Sequence, residues 1–438
     1  MMIKIREFPE SLYEPWCKLY KQFAVDHQTS LVNLLQRSKP VAIQSALLEP
    51  RQQSENLAFK LYQLIDTTPS ESQLLSGYAY LKELESLYSS DPWRHRRAGK
   101  VPEVQIENQR YILWSPPHAH IAAAVPVAQQ FTPDRLIGRN RILDLHYCWI
   151  CIPAETALDV DRTLALDALL TGNSVRIGIA PFAENKDMHW QVDCTDRRGP
   201  RGEVPMRCTM ANNDNAIWRR LETVLQTAHR SGVQILLFPE LVLTQTLLER
   251  VVAWLESDNL VNSVVQLVVA GTRHVDSDKK QSEFRNRCTV LDASGSVVWV
   301  QDKRQPFTLE ADQVRCLLPD FDAPAAFEPT ELSQALTVRE TAIGRILTPI
   351  CLDYIHEGIW RELAGDLYLV PAMSAGLSRF RDRSRVLGQL GAATVVCNAC
   401  VDSDQEKRLV VYLPSRHPPD VNPYGDSLFV LDISFAVN

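Results

Sequence analysis

The chain has 438 residues, which is long for one domain and sufficient for two, and its apolar fraction of 45% is ordinary for a globular protein. Its formal net charge of −7 gives no support to nucleic-acid binding, and no apolar run approaches the roughly 18 residues of a membrane span. Because the N-terminal sequence lacks the apolar segment of a signal peptide and the ten cysteines are too scattered for a disulfide framework, we expect a cytoplasmic protein that binds neither membranes nor nucleic acid.

Residues 1–172 carry the periodicity of a mainly helical region. Apolar side chains recur at helical spacing through its first half, and Ser70 with Gln73 forms a candidate capping box. Later segments have the pattern of strands (residues 110–114 and 142–152) and of a linker helix (residues 158–170). The region resembles no family, so its role stays open, with binding of a protein partner as one hypothesis.

Two kinds of small motif have competing interpretations. The basic segment at residues 93–100 is either a solvated loop, which we favour, or a contact for phosphate or nucleic acid. The pairs Cys148/Cys151 and Cys397/Cys400 have the spacing of a four-thiolate zinc site. Both pairs lie in apolar, strand-like segments, however, so we predict neither a metal nor a cofactor.

From residue 174 onward, apolar strands and amphipathic helices alternate as they do in α/β proteins. Residues 175–180 and 233–238 are candidate buried strands, and Gly232 ends the helix between them. Residues 286–303 predict a hairpin whose loop places Gly295 where a positive φ is expected. This hairpin argues against a purely parallel sheet.

Three reactive side chains each lie just beyond the end of a predicted strand. Glu240 follows residues 233–238, Lys303 follows residues 297–301, and Cys351 ends an apolar run. Taken singly, they have structural explanations as a helix-start charge, a solvated hairpin end and core filler. Because α/β sheets gather ligands at their strand ends, the three together predict a base, a cation and a nucleophile in one site.

The order of these residues resembles the nitrilase, or carbon–nitrogen hydrolase, superfamily from about residue 175 to the C-terminus. The resemblance is carried by the sequences FPEL around Glu240, QDK ending at Lys303 and ICLD around Cys351, and by the strand sequence LVPA at residues 369–372. It implies a four-layer αββα sandwich, preceded here by the mainly helical N-terminal region.

The resemblance also implies functional assignments. The sandwich would occupy residues 173–438, self-associate into a homo-oligomer and use a catalytic triad of glutamate, lysine and cysteine. A further glutamate often follows the lysine in this superfamily, and Glu310 is the nearest match. Asp353, although adjacent to the cysteine, is expected to anchor the turn rather than to react.

The chain departs from the superfamily pattern in three places. Ala180 and Pro181 stand where a glutamine often closes the first strand. Some thirty residues, 182–212, stand where the family usually has a short loop between its first strand and first helix. The segment after Cys400 lacks the usual Gly-x-Ser element, although residues 427–433 resemble a closing strand. These departures concern the substrate pocket and leave the three reactive residues in place.

The sequence predicts the following chemistry. The strand end and a helix at residues 356–363 would lower the pKa of the Cys351 thiol. Glu240 would accept the thiol proton, and Lys303 with the backbone N–H of Leu352 would hold the developing negative charge. The resulting hypothesis is an amidase that cleaves a linear amide through a thioester, with nitrile hydrolysis and acyl transfer to an amine as alternatives.

A second hypothesis is a nitrilase-like scaffold that binds partners in a larger complex. Nitrilase-like domains also occur fused to reverse transcriptases in bacterial defence systems, so such a complex could be antiviral. The intact set of glutamate, lysine and cysteine favours the enzyme, because a scaffold has no need of all three.

Overall fold

The computed structural model describes residues 8–38, 57–65, 68–89, 101–114, 145, 147–153, 156–161, 174–193, 196, 202–257, 264–277, 284–317, 325–331, 333–341, 343–356, 365–388, 391–399, 407–414 and 419–434. The chain forms two compact units. The first comprises Met1–His118, Val127–Thr156 and Val160–Thr163, and the second comprises Ala119–Pro126, Ala157–Asp159 and Leu164–Asn438. No helix among the described residues has the length and apolar character that crossing a bilayer requires.

The described part of the first unit combines helices with a small antiparallel sheet. Its elements are a 3₁₀ turn (Glu10–Leu12), α1 (Tyr13–Tyr20), a π-helical segment (Lys21–Asp26), α2 (Gln28–Arg37), α3 (Leu57–Ile65), α4 (Glu71–Ser89), β1 (Glu103–Ile106), β2 (Gln109–Trp114) and β3 (Cys148–Ile152). The strands pair in the order β1-β2-β3. The predicted helical N-terminal region is therefore confirmed, while the basic segment at residues 93–100 lies outside the described residues.

A capping box and aromatic packing help to stabilise the helices of this unit. The Ser70 N–H donates to Gln73 Oε1 at 2.8 Å and the Gln73 N–H to Ser70 Oγ at 3.4 Å, which is the predicted capping box at the start of α4. The core is aromatic: the rings of Trp16 and Trp149 meet edge to face at 5.9 Å. Aromatic packing of this kind stabilises helices that are too short to persist alone.

The second unit is an α/β domain. Its strands begin with β4 (Ala157–Asp161), of which Ala157–Asp159 belong to this unit. The others are β5 (Ser174–Ile179), β6 (Met188–Val192), β7 (Val204–Ala211), β8 (Ile235–Leu237), β9 (Leu267–Asp276), β10 (Phe284–Asp292), β11 (Val297–Asp302), β12 (Thr308–Glu310), β13 (Ala325–Phe327), β14 (Ala335–Thr341), β15 (Gly344–Leu347), β16 (Leu367–Ala372), β17 (Ala393–Asn398), β18 (Leu409–Tyr412), β19 (Val421–Pro423) and β20 (Phe429–Ser434). Its helices are α5 (Asp214–Arg230), α6 (Gln245–Leu255), α7 (Ala311–Leu317), α8 (Leu352–His356) and α9 (Ser378–Gly388), with a short 3₁₀ turn at Asn185–Asp187.

Two large sheets lie face to face in this unit. One has the order β11-β10-β9-β8-β5-β20-β19 and the other the order β18-β17-β16-β15-β14-β4. Helices α5 and α6 cover the outer face of the first sheet, where Leu221 and Leu247 join the same apolar cluster as Leu236. Helices α8 and α9 cover the second, and there the Tyr354 hydroxyl lies 2.9 Å from Ser384 Oγ and from Thr394 Oγ1. This arrangement is the predicted four-layer αββα sandwich.

Two predicted elements differ in the structure. Residues Ala157–Asp161 form strand β4 at a sheet edge, whereas the sequence predicted a linker helix over 158–170, of which residues 162–170 lie outside the described part. Pairing in the sheet overrode the local helical pattern. Helix α8 begins at Leu352, four residues before the predicted start at residue 356, because the chain turns directly after Cys351.

The thirty-residue departure from the family pattern contains a β-hairpin. Strands β6 and β7 pair antiparallel, and β7 pairs in parallel with β13 in a sheet of the order β12-β13-β7-β6. Residues 182–212 therefore add a third, smaller sheet to the domain. We call β6 and β7 the inserted hairpin.

One glycine permits a close backbone approach that the site requires. Gly271 in β9 has a φ of +61°, and a Cβ atom placed there would lie 2.1 Å from the carbonyl oxygen of Pro239. Pro239 directly precedes Glu240, and the Thr272 N–H donates to the same carbonyl oxygen at 3.3 Å. The absence of a side chain at Gly271 thus sets the path of the chain into Glu240.

We predict that Gly271→Ala destabilises the second unit by roughly 2–4 kcal/mol, because it adds both backbone strain and a steric clash with a carbonyl group that cannot rotate away. The midpoint of urea unfolding, followed by tryptophan fluorescence, measures the effect. Gly376→Ala is the matched control, since its Cβ would meet nothing within 4 Å and its φ is not positive. Equal stability of the two variants would contradict this account.

Candidate active site

Glu240 lies at the point where strand β8 of one sheet meets strand β16 of the other. The chain turns sharply after β8: Leu241 has a φ of +56°, and its N–H donates to Thr272 Oγ1 at 3.0 Å. The Glu240 N–H donates to the carbonyl oxygen of Ala372 at 3.2 Å. The side chain is only 1% exposed. Backbone bonds from both sheets therefore fix the position of this buried carboxylate.

Lys303 follows β11 and is also 1% exposed. Its Nζ donates to Glu240 Oε1 at 2.7 Å and to Glu328 Oε2 at 2.9 Å. Burial lowers the pKa of the Lys303 ammonium, but the charges of Glu240 and Glu328 outweigh burial and raise that pKa above its ordinary value. The ammonium is therefore protonated between two carboxylates.

Cys351 occupies the turn between β15 and α8, with a φ of +46°. Its N–H donates to the carbonyl oxygen of Pro371 at 2.9 Å, its thiol donates to the carbonyl oxygen of Met373 at 3.9 Å, and the Met373 N–H donates to Glu240 Oε2 at 3.0 Å. The structure thus brings the three residues at the predicted strand ends together. A left-handed conformation is costly for a residue with a Cβ, and such strain occurs most often where a reactive side chain must be presented.

The environment of Cys351 corrects one expectation from the sequence. Burial and the negative charge of Glu240 raise the pKa of the thiol well above its ordinary value, and the opposing effect of Lys303 is smaller. The predicted lowering of this pKa by the strand end and helix start is therefore wrong. Cys351 is a neutral thiol at pH 7, and its distinguishing feature is a carboxylate that can accept its proton.

The second glutamate in contact with Lys303 is Glu328, which the sequence analysis missed. The structure places the predicted Glu310 elsewhere: it ends β12 with an exposed side chain, and its N–H donates to Gln313 Oε1 at 2.9 Å. Glu328 directly follows the short apolar strand β13 and precedes a proline. An acidic residue just past an apolar strand is the same signal that identified Glu240.

All four acceptor positions of the Glu328 carboxylate are used. Oε1 lies 2.7 Å from Asn286 Nδ2 and 2.9 Å from His274 Nε2, while Oε2 accepts from Lys303 Nζ and, at 3.2 Å, from the Phe307 N–H. Burial raises the pKa of the Glu328 carboxyl, but the Lys303 charge and the hydrogen bonds from His274 and Lys303 lower it to about 2. Glu328 is therefore a fixed anion with no room for a proton.

Asn286 is a further member of the site that the sequence analysis did not single out. Its Nδ2 donates to Glu240 Oε1 at 3.0 Å and to Glu328 Oε1 at 2.7 Å, and its carbonyl oxygen accepts the Lys303 N–H at 2.8 Å. The side chain is fully buried in β10. A signal existed, because the alternation of β10 places Asn286 on the same inward face as Phe284 and Cys288, where a polar side chain needs partners.

Asp353 connects the cysteine turn with the lysine loop. Its carboxylate is fully buried and accepts the N–H groups of Arg304, at 3.0 and 3.1 Å, and of Gln305, at 2.7 Å. These residues directly follow Lys303, so Asp353 holds the lysine loop beside the nucleophile, in line with the predicted anchoring role. Leu352, the predicted oxyanion donor, is the first residue of α8.

The inserted hairpin packs against the same cluster. Trp190 of β6 meets the ring of Phe307 at 6.5 Å, and the Phe307 ring centroid lies 5.0 Å from Lys303 Nζ. From β7, the Cys208 N–H donates to His274 Nδ1 at 3.0 Å. The hairpin thus contacts two neighbours of the buried charges.

The described residues contain no group of three or more His, Cys, Asp and Glu side chains arranged to hold a metal ion. Cys148 and Cys151 lie in β3 and Cys397 is buried in β17, and none of the three forms a disulfide. Cys400, the fourth member of the predicted alternative zinc site, lies outside the described residues.

The chain belongs to the Carbon-nitrogen hydrolase family, whose sequence model matches residues 205–430. A comparison with curated protein sequences gave no match. The match covers the described site residues from Glu240 through Cys351 and includes β7 of the inserted hairpin, while the first unit lies outside it.

Solved structures are similar in fold to part of the chain. Nit3 of Saccharomyces cerevisiae, a member of branch 10 of the nitrilase superfamily, is 11% identical, and the similarity covers 60% of this chain and 91% of that protein with a TM-score of 0.38. An amidase from Nesterenkonia sp. is 17% identical over 60% of this chain and 92% of its own, with a TM-score of 0.39. At these identities the likeness concerns the fold alone.

The pKa of Glu328 predicts how stability depends on pH. A glutamate carboxyl ordinarily has a pKa of 4.5, whereas that of Glu328 is about 2. Because folding lowers this pKa, the stabilisation is fully present above pH 4.5 and is lost as the pH falls towards 2. We expect the free energy of unfolding to fall across this window, because protonation of Glu328 weakens its contact with the Lys303 ammonium.

Acid titration of urea unfolding measures this loss. Glu328→Gln should flatten the pH dependence between pH 4.5 and about 2, although the variant is less stable at neutral pH. Glu310→Gln is the control and should leave the slope unchanged, because that side chain is exposed. An unchanged slope in Glu328→Gln would contradict the assignment of Glu328 as a fixed anion.

Proposed function

We propose that the chain is a cysteine-dependent amidase that cleaves a linear amide through a thioester acyl-enzyme. The observation that carries the proposal is that Cys351 and Glu240 meet at Met373, whose carbonyl oxygen accepts from the thiol at 3.9 Å and whose N–H donates to Glu240 Oε2 at 3.0 Å. Glu240 Oε1 in turn accepts from the Lys303 ammonium at 2.7 Å. A thiol of raised pKa reacts only if its proton leaves during the attack, and Glu240 is in position to accept it.

The two glutamates are suited to different tasks. Glu328 has four protein donors on its carboxylate and cannot accept a further proton without losing one of them. Glu240 has two donors on Oε1, from Lys303 and Asn286, and on Oε2 one backbone donor, the Met373 N–H at 3.0 Å. Because Glu240 keeps acceptor capacity and lies beside the thiol, Glu240 is the general base in this proposal.

Acylation proceeds with one proton carried by Glu240. The Cys351 sulfur attacks the amide carbon while its proton moves to Glu240, and the carbon–sulfur bond forms. The carbon–nitrogen bond then breaks as Glu240 returns the proton to the leaving nitrogen, which departs as ammonia or an amine. The product is a thioester on Cys351, and Glu240 is again a carboxylate.

Hydrolysis of the thioester uses the same base. Glu240 takes a proton from water, the hydroxide oxygen attacks the acyl carbon, and the carbon–sulfur bond breaks. The sulfur recovers its proton from Glu240, and the carboxylic acid leaves. Each carboxylate and thiol ends in its starting state, so no further reactant is required.

Lys303 and the backbone N–H of Leu352 would stabilise the negative charge on the substrate oxygen. A lysine ammonium has three N–H groups, and Lys303 donates two of them to Glu240 and Glu328. The third remains for the developing oxyanion. In a buried site, a donor of this kind typically contributes about 100- to 1000-fold in rate.

The energetic cost of the cluster favours an enzyme over a scaffold. Burying an ammonium and two carboxylates costs several kcal/mol per ion in desolvation, which good geometry at best offsets. A protein that only presents a surface to a partner gains nothing from this cost, since apolar residues of similar volume would stabilise the domain at least as well.

The direct test is incubation of the purified chain with a panel of short linear amides and nitriles. We expect ammonia release and, in rapidly quenched samples, an intact-mass increase equal to one acyl group on Cys351. Cys351→Ala should abolish both signals while retaining the fold, and Cys397→Ala should change neither. If the wild-type protein forms no adduct and releases no ammonia, the amidase proposal fails and the scaffold hypothesis replaces it.

A second prediction uses the other thiols of the chain and needs no knowledge of the substrate. Burial raises the pKa of Cys397 as it does that of Cys351, but Cys351 also has the Glu240 carboxylate beside it. Iodoacetamide should therefore alkylate Cys351 at least about tenfold faster than Cys397 at pH 7. Glu240→Gln should remove this difference, as peptide mapping by mass spectrometry would show; equal rates in the wild type would contradict the assigned base.

A further inference from the structure

We infer that His274 is a positioning residue of the active site: through a hydrogen bond from its Nε2 it holds the Glu328 carboxylate, and through Glu328 it fixes the Lys303 ammonium. The inference rests on the proposed function, because it assigns His274 a part in the chemistry at Cys351. It also gives the inserted hairpin a role in that chemistry.

The hydrogen bonds of His274 define which ring nitrogen carries the proton. Its side chain is fully buried, as is that of Glu328. Nδ1 lies 3.0 Å from the backbone nitrogen of Cys208, which can only donate, so Nδ1 must offer a lone pair. The proton therefore sits on Nε2, which lies 2.9 Å from Glu328 Oε1 and donates to it. The inserted hairpin thus sets the tautomer that bonds to Glu328.

His274 matters because, among the described residues, Oε1 of Glu328 has one other donor. That donor is Asn286 Nδ2, which is shared with Glu240 Oε1. Without His274, the shared amide alone would hold Oε1, while Lys303 and the Phe307 N–H pull on Oε2. The carboxylate would then be free to rotate about its terminal torsion, and its distance to Lys303 would vary.

A shift of Glu328 changes the strength of the base. Lys303 is held between Glu240 at 2.7 Å and Glu328 at 2.9 Å, so its positive charge is divided between the two. If Glu328 turned away, the ammonium would pair with Glu240 alone and stabilise its carboxylate form. Glu240 would then accept the Cys351 proton less readily, and attack by the sulfur would slow.

Packing fixes the imidazole plane as well as its tautomer. The ring centroid of Phe284 lies 6.1 Å from that of His274. The Arg207 guanidinium lies 4.5 Å from the centroid of the same Phe284 ring. Arg207 belongs to β7, and its Nε donates a hydrogen bond to Gln191 Oε1 of β6 at 2.8 Å. Residues of both hairpin strands therefore support the ring orientation in which His274 Nε2 donates to Glu328 Oε1.

Two substitutions separate the donor of His274 from its acceptor. In His274→Gln the amide nitrogen reaches about as far as Nε2, so a donor for Glu328 is kept and the acceptor for Cys208 is lost. In His274→Asn the amide oxygen lies about where Nδ1 lies, so the acceptor is kept and the donor is lost. A role confined to holding the hairpin requires the acceptor, whereas the proposed role requires the donor.

The measurement is the second-order rate constant for alkylation of Cys351 by iodoacetamide at pH 7, with Cys397 as the internal reference. We expect His274→Asn to lower the Cys351 rate by about tenfold, the effect of losing one hydrogen bond to a charged group, and His274→Gln to stay within about threefold of the wild type. When either His274 variant is combined with Glu328→Gln, the Cys351 alkylation rate should be no lower than in Glu328→Gln alone, because the effect of His274 passes through Glu328.

The outcomes distinguish this inference from the proposed function. If wild-type Cys351 reacts no faster than Cys397, the proposed function fails. Suppose instead that wild-type Cys351 is alkylated faster than Cys397, and that His274→Gln lowers the Cys351 rate as much as His274→Asn does, or more. The role of His274 is then overturned, and the proposed function stands. The role of His274 is also overturned if the two substitutions of a double variant lower the Cys351 alkylation rate additively.

A measurement on the wild type covers the case in which His274→Asn does not fold. Nitrogen-15 NMR of histidine-labelled protein, with His274 assigned from the His274→Gln spectrum, should show a neutral ring protonated at Nε2. A ring protonated at Nδ1, or at both nitrogens, would overturn the inference, because Cys208 would then face a donor.

Discussion

The buried ammonium of Lys303 is the interaction on which the rest of the site depends. An isolated charge in the interior costs many kcal/mol, and here two carboxylates surround it within 3 Å. Each carboxylate in turn needs donors, which come from a neighbouring strand, from the loop after β11 and from the turn after β16. One buried cation therefore fixes side chains and backbone groups from both sheets of the sandwich.

This arrangement explains why the thiol is not an independent thiolate. Burial and the negative charge of Glu240 together raise the pKa of the Cys351 thiol, and the positive charge of Lys303 offsets them only in part. In the proposed reaction Glu240 is also the base, so the sulfur becomes nucleophilic only as its proton moves to Glu240. The reactivity proposed for Cys351 therefore depends on the adjacent carboxylate rather than on a lowered pKa.

The inserted hairpin shows how a departure from a family pattern can become part of a site. Its strands add a small sheet beside the sandwich, and its contacts reach the neighbours of the buried charges on two sides, at Phe307 and at His274. The backbone N–H of Cys208 is the contact with the clearest chemical consequence, because a backbone donor leaves the imidazole only one tautomer.

The sequence by itself predicted the sandwich and three residues that the structure brings together, because apolar strands that end near Glu240, Lys303 and Cys351 encode both the layers and the common edge. It did not determine which second glutamate meets Lys303, or that Asn286 and His274 complete the cluster. Glu310 ends one short strand and Glu328 follows another, and the pairing of β13 with β7 carries Glu328 inward while Glu310 faces solvent. The thiol pKa was likewise decided by tertiary structure, since burial and the charge of a residue more than a hundred positions away outweigh the local helix start.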